Sequence, residues 1–403
     1  MNLAGNLQID IQHQSGRVCQ VTIASSRPTG IARVLCGNTP EQALQKVPLL
    51  FSLCRNAQAY AALQACQMAL GIVPDTAVNA AQNLLVQVES WREQCWRILL
   101  DWPRFIGLSP DKASLAALMQ FEGAIKHALF GSAEAFQWHN PANPDLSAVS
   151  QILEAVTAKV DAAVFAGELN GFLALENQMQ LQHWLQKSPT VAAQLLTLVY
   201  QNNWCASGNN TQACLPDTLS AADLNQEMHA QGAEAFASQP KWQGSCQESS
   251  ILTQLKSAPL IVDLASYYGN ALIVRLVARL LAVASIPRQL QQLCGQQGHA
   301  SAMPGAQRQN AGIGLGQVQA ARGLLLHRAE IGAGLIKAYH IIAPTEWNFH
   351  PEGVVAHSLK QLQASNQDKL KAQAELIINA IDPCVQTALH FTDLDLRTPA
   401  YAG

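Results

Sequence analysis

The chain opens on a strand pattern. Leu7, Ile9 and Ile11 alternate with polar residues, Gln14–Gly16 supplies a turn, and Cys19, Val21 and Ile23 alternate again. A period of two puts one face into a core, so the stretch predicts a β-hairpin. Thr39-Pro40-Glu41-Gln42 reads as a capping box with proline at the first helical position, and Pro48 is the expected break of that helix. A second helix follows from Leu49 to Leu70 and contains Cys54. Helical periodicity then dominates, in Val78–Trp102, Ala113–Phe130, Leu146–Phe165, Phe172–Tyr200 and Leu260–Ala284. The range 202–247 is rich in Asn, Gln, Ser and Gly and reads as irregular, and 295–316 as a further loop. Leu324–Ile331 and Leu335–Ile342 read as a second hairpin around Gly332-Ala333-Gly334, and Gln367–Ala380 as a helix. The strands sit near both ends with helices between. The expected fold class is therefore α+β, mainly α, in one domain over 1–403 whose termini come together.

Composition narrows the partners. Apolar residues make up 49% and charged residues only 13%, with a net charge of −3. That balance argues against nucleic acid or an acidic membrane surface. The most apolar stretch, Ala271–Ile286, carries Arg275 and Arg279 in its middle, so it reads as a buried helix and not as a membrane insertion. The two arginines, one turn apart, fit a solvated stripe or a partner contact. Ten cysteines are scattered with no Cys-x-x-Cys pair, and no secretory pattern opens the chain, so a reducing, cytoplasmic setting is expected.

One stretch near the end carries candidate chemistry: Ile381-Asp382-Pro383-Cys384. Asp382 and Pro383 read as an N-cap followed by proline at the first helical position. Cys384 would then lie in the first turn of a helix, where the dipole eases loss of its proton. A thiolate there is a soft ligand for iron, nickel or zinc.

Three separated stretches resemble the large subunit of nickel–iron hydrogenases. That family's C-terminal motif is Asp-Pro-Cys-x-x-Cys-x-x-His; here it runs Asp382, Pro383, Cys384, Thr387 and His390. Its N-terminal Cys-Gly-x-Cys matches Phe51 to Cys54, with Phe51 in place of the first cysteine. Gln319-Ala320-Ala321-Arg322-Gly323, followed by Leu325 and His327, resembles Glu-Ala-Pro-Arg-Gly. Pro344-Thr345-Glu346-Trp347-Asn348 resembles Pro-Ser/Thr-Thr-Trp-Asn. Pro240, Trp242 and Gly244 with Glu248 are similar to a further family segment, and the likeness is firmest over roughly the first 75 and last 90 residues. The resemblance implies a hydrogenase large-subunit-like bundle with β-hairpins near both ends. It also implies metal ligands at Cys54 and Cys384, cyanide-facing donors at Arg322 and Thr345, Leu325 lining a carbonyl side, and Pro344 as a further cofactor-binding position.

The departures from the pattern are informative. Two of four metal cysteines are replaced, by Phe51 and Thr387. The family's proton-gate glutamate falls at Ala4, and the glutamate paired with the histidine at 390 around magnesium falls at Ala32, which leaves His390 to read as a satisfied structural histidine. The parts that would hold a low-spin iron with anionic cyanides are kept: soft sulfur and charge-assisted donors. This combination resembles the hydrogenase assembly proteins of the HupK/HoxV type. The resemblance implies a non-catalytic scaffold that transiently carries an Fe(CN)2(CO) unit, with hydrogenase maturation proteins, a small maturation chaperone and the hydrogenase large subunit as partners. Two other readings stay open. A divergent metal redox enzyme would need further ligands from Cys36, Cys66 or a histidine, and a metal-free relative would bind its partner by shape alone. His350 and His357 have no matched role, Trp347-Asn348 suggests packing and turn bonding, and Trp91, Trp96 and Trp102 suggest core or interface aromatics.

Overall fold

The computed structural model describes residues 5–27, 29–51, 53–138, 144–295 and 306–395. Ala4 lies outside them. Strand β1 (Asn6–Gln14) pairs antiparallel with β2 (Arg17–Ser25), as the alternation predicts. A register shift between Gln12 and His13 moves the start of the buried face of β2 to Val18, so Cys19 points outward. On its other edge β1 pairs in parallel with β7 (Gln386–Asp393), which joins the two ends of the chain in one three-stranded sheet.

Helix α1 (Pro40–Leu50) starts at the expected capping box, with the Thr39 side chain accepting from the Gln42 backbone and Gln42 from that of Thr39. Pro48 does not end it. It sits in the last turn, where little of the hydrogen-bond ladder remains to break. The chain leaves the helix at Phe51, and α2 begins only at Arg55 and runs to Leu70, so the predicted start at Leu49 is six residues early. Cys54 is the N-cap of α2. Helix α3 (Thr76–Trp96) continues through a π-turn at Arg97–Asp101, and the helices Lys112–Phe130 and Leu146–Val160 follow as expected. The predicted Phe172–Tyr200 helix is divided into Leu169–Leu173, Gln178–Lys187 and Val191–Gln201, because Asn177 and Thr190 each cap a new start. The range 202–247 is less irregular than its composition suggests and holds the helices Ala221–Gln231 and Ala233–Ser238.

The apolar stretch around Ala271 splits at Gly269 into Pro259–Tyr268 and the long helix Leu272–Gly295. The long helix is buried on all sides over its first four turns, and no helix among the described residues is long and apolar enough to cross a membrane. A four-stranded antiparallel sheet follows, β3 (Gln307–Asn310), β4 (Ile313–Ala320), β5 (Gly323–Gly332) and β6 (Leu335–Ile342), so part of the presumed loop 295–316 is strand. The helix Gln367–Ile381 leads into β7.

The contact of α2 with β4 sets the site. Helix α2 is alanine-rich and buried on nearly every side, so only small neighbours fit against it. Gly314 and Gly316 face it: a Cβ at either would come within 2.0 Å of the Ala65 carbonyl or 2.1 Å of the Ala61 carbonyl. This close approach lays the N-terminus of α2, with Cys54, beside the β4–β5 turn. That turn is two residues, Ala321 and Arg322, between the paired Ala320 and Gly323. Gly323 takes φ +126°, and a Cβ there would meet the Ser249 carbonyl at 2.3 Å.

Candidate metal-unit cavity

Asp382 does not start a helix. It ends one: it is the C-cap of Gln367–Ile381 with φ +66°, and Cys384 lies in the bend between that helix and β7. The dipole argument therefore fails for Cys384. The sequence places aspartate before proline, but the burial of Asp382 among three arginines holds the chain in this left-handed turn. Arg97 Nε lies 2.8 Å, Arg322 Nε 3.3 Å and Arg279 Nη1 3.5 Å from its carboxylate. Burial would raise the Asp382 pKa, yet Arg322, Arg97 and Arg279 together hold it below the ordinary carboxylate value.

Arg279 and Arg275 are thus not a solvated stripe. Both are buried. Arg279 donates to the carbonyls of Asn379 and Ala380, satisfying the last turn of the helix that Asp382 caps. Arg275 forms a two-pronged ion pair with the fully buried Glu248. Arg279, with Arg97 and Arg322, fixes the end of the C-terminal helix and, through it, the bend that presents Cys384.

Six residues singled out in the sequence converge. Cys54, Arg322, Leu325, Pro344, Thr345 and Cys384 line one cavity of about 20 Å³, with Gln58 and the alanines 320, 321 and 343 completing its wall. Thr345, in the short helix Pro344–Asn348, holds its hydroxyl 3.0 Å from Cys384 Sγ, and the Cys384 backbone N–H donates to that hydroxyl at 3.4 Å. Leu325 belongs to an apolar cluster with Ala57, Ala61 and Val318 that packs against Cys54. Burial pushes the Cys54 thiol up to about 12; Cys384 and Glu89 add to this, and Arg322 and Gln58 oppose it. Arg322 is buried, donating from Nη2 to Glu93 at 2.8 Å, while its Nη1 has no hydrogen-bond partner. An uncompensated buried N–H on a guanidinium invites an acceptor. Burial works against its charge, but Asp382 and Glu93, with the two thiols beyond them, raise the Arg322 pKa above its ordinary value.

Two groups escaped the sequence. Glu89, on α3, accepts the backbone N–H groups of Asn56 and Ala57 at 2.7 and 3.0 Å, serving as a cap that Cys54 does not provide for α2. Arg27 pairs with Glu346 at 2.6 Å, one residue along from Thr345; burial opposes its charge, and Glu346, Cys384 and Cys54 raise its pKa. Neither has a local signal, since each acts on a partner far away in the chain.

The replaced positions lie elsewhere. Phe51 packs into a second apolar cluster with Ala32, Leu35 and Leu44, and the two spare cysteines, Cys36 and Cys66, belong to that same cluster rather than to the cavity. Thr387 is on β7, its hydroxyl buried without a partner. His390, expected as a satisfied structural histidine, is exposed on β7. His357 is exposed and His350 buried. Trp347 and Asn348 do as expected: Asn348 exchanges two hydrogen bonds with the Ser249 backbone, and Trp347 meets Phe236 edge-on at 5.8 Å. Trp91 and Trp102 are core residues, and Trp96 is packed partly buried against them.

Comparison with known proteins gives the same direction. The nickel-dependent hydrogenase family model matches residues 212–390. Among curated relatives, the hydrogenase expression/formation protein HupK of Azotobacter vinelandii is 29% identical over 385 residues, covering 95% of this chain and 97% of that one. HupV of Azotobacter chroococcum mcd 1 is 28% identical over 384 residues with the same coverage, and HoxV of Cupriavidus necator 27% identical over 389 residues, covering 92% of this chain and 93% of that one. The fold is that of the Ni-Fe-Se hydrogenase from D. vulgaris Hildenborough, with a TM-score of 0.63 at 15% identity over 92% of this chain and 94% of that one. The reduced Desulfomicrobium baculatum enzyme gives 0.61 at 14%, over 93% and 95%.

Proposed function

We propose, for a chain that carries the nickel–iron hydrogenase large-subunit fold and is similar along nearly its whole length to the HupK, HupV and HoxV expression/formation proteins, a non-catalytic role in hydrogenase maturation. It acts as a scaffold that receives an Fe(CN)2(CO) unit as cargo and passes it to a hydrogenase large subunit. The observation that supports this most is the cavity itself: two thiols, an apolar leucine and a guanidinium whose Nη1 has no hydrogen-bond partner, on one small wall.

In this reading Cys54 and Cys384 supply sulfur to iron. Arg322 Nη1 and the Thr345 hydroxyl donate to cyanides, and Leu325 and Pro344 shelter the carbonyl. A thiol held at about 12 keeps its proton until a metal arrives, because a coordinating thiol is deprotonated outright. The cavity has room for about one water, so an iron with three diatomic ligands enters only as side chains give way. Two thiolates, half the family's set of four, suit a cargo that must leave again. The partners on this reading are the maturation proteins that load it, a small chaperone and the receiving large subunit, all in the cytoplasm.

The test is anaerobic purification from cells that make the cofactor, followed by infrared spectroscopy of the cyanide and carbonyl stretching region. Bands that vanish in Cys384→Ser are expected. Protein without such bands, from cells whose hydrogenase still matures when Cys54 and Cys384 are both replaced, would sink the proposal. Hydrogen-dependent dye reduction by nickel-loaded protein would instead favour a redox enzyme.

A further inference from the structure

A second group of metal-ligating side chains lies outside the cavity: Cys246, His350 and Glu352, whose donor atoms fall within 4.8 Å of one another. The geometry points to a second metal site here, for a borderline divalent ion of the zinc class, independent of the iron-carrying reading.

Two short turns face each other to build it. Trp242 and Ser245 exchange backbone hydrogen bonds and so close a tight turn that delivers Cys246. His350 accepts the Glu352 backbone N–H on Nδ1 at 2.9 Å, and its carbonyl accepts from Gly353 at 2.7 Å, which closes the second turn. With Nδ1 accepting, the ring proton is on Nε2 and the Nδ1 lone pair faces the cluster. Cys246 Sγ stands 3.2 Å from that nitrogen. Bonds of about 2.3 Å to sulfur and 2.0–2.1 Å to nitrogen in a tetrahedral site put the two donors about 3.5 Å apart, so little movement is needed. Sulfur, imidazole and carboxylate together are the donor set that zinc takes, with water in the fourth place.

A cation already occupies the carboxylate. Lys241 Nζ lies 2.6 Å from Glu352 Oε2, the Glu352 side chain is largely exposed and that of Lys241 partly so, and the ammonium can swing away at small cost. Metal binding exchanges Lys241 for the ion at Glu352, replaces the donors on Nδ1, and releases the Cys246 proton to solvent. The bound ion would tie 241–246 to 350–352, directly after the short helix that carries Thr345.

The test titrates full-length Cys54→Ser/Cys384→Ser protein, which lacks the cavity thiols, with Co²⁺. One cobalt per chain is expected, with thiolate-to-cobalt charge-transfer absorption and tetrahedral d–d bands, and Zn²⁺ should displace it. Adding Cys246→Ser should abolish the charge-transfer band while circular dichroism and melting stay unchanged, since Cys246 is only partly buried. Adding Lys241→Ala instead should tighten binding several-fold by removing the competing charge. A charge-transfer band that survives Cys246→Ser, failure to hold one cobalt per chain, or unchanged affinity in Lys241→Ala overturns the three-ligand site. Infrared bands of the iron unit are read on different protein and can fail without touching this result.

Discussion

Two sides of the matched motifs behave differently in this molecule. On one side Cys54, Cys384, Arg322, Thr345, Pro344 and Leu325 are drawn to a single cavity from five separate elements. On the other, Phe51, Thr387, Ala32 and His390 occupy the aligned positions but do not line that cavity: Phe51 and Ala32 belong to a separate apolar cluster, and Thr387 and His390 lie on β7. The difference teaches that residue losses on the second side are not isolated substitutions in an otherwise intact four-thiol site. The backbone there has been given to packing and to a strand, while the first side is held by a buried lattice of arginines and carboxylates.

The largest expected effect breaks the comparison at the sulfurs. Cys384→Ser or Cys54→Ser should lower iron retention to background, read by metal analysis and infrared bands, with melting little changed. The converse change, Phe51→Cys with Thr387→Cys, restores the family's cysteine count. It should add no nickel, because neither position lines the cavity. Nickel bound by the doubled variant in a four-sulfur environment, read by X-ray absorption, would erase the distinction between the two sides.

Arg322 comes next. The sequence alone suggests that Arg322→Leu removes an anchor and leaves the fold intact. The structure says otherwise: the change takes one arginine from each of two buried carboxylates, leaving Glu93 with Arg92 and Asp382 with Arg97 and Arg279, so the loss is real but falls below the roughly 3–5 kcal/mol of a fully orphaned buried pair. Denaturant unfolding should show that loss. Arg322→Lys keeps the charge but loses the fork, so it should retain most of the stability and still release iron more readily. Iron held as tightly in Arg322→Lys as in the parent protein would refute the anchor role.

How much of this was legible follows from where the information lies. The capping box at Thr39, the alternation of β1 and the helix from Gln367 are local signals, and each predicted element starts within a residue or two of the observed one. The six cavity residues were legible only through motif likeness, because nothing near Cys54 in the chain says that it meets Cys384. What could not be read was tertiary. Asp382 looks like an N-cap, and only its three arginines turn it into a C-cap. Arg275 and Arg279 read as a solvated stripe or a partner contact until Glu248 and the end of the C-terminal helix are set against them. The bulge after Gln12 reverses the direction of Cys19 without any composition signal.

Glu89 tests the wall behind Cys54. Burial lifts its pKa from 4.5 to about 8, against the two N–H groups that lower it. For an acid raised on folding, the native state holds a proton that the unfolded chain has lost, so stability is full below the unfolded value and falls as pH rises to about 8. Glu89→Gln should flatten the decline in melting temperature between pH 5 and 8. An unchanged slope would mean that some other group titrates there.

The smallest expected effect is at His390. In the motif it stands where a magnesium ligand belongs, and a role inherited from that motif would make His390→Ala costly for folding and for iron retention. Here the ring is exposed on β7, and the aligned carboxylate is a buried alanine in a separate cluster. An exposed side chain with no buried partner changes stability by about 0.5 kcal/mol or less when truncated. His390→Ala should therefore melt within a degree or two of the parent protein and keep its iron. A loss of several degrees, together with a melting temperature that added Mg²⁺ raises in the parent but not in the variant, would show that the second side still assembles a metal site, and the contrast between the two halves would have to be redrawn.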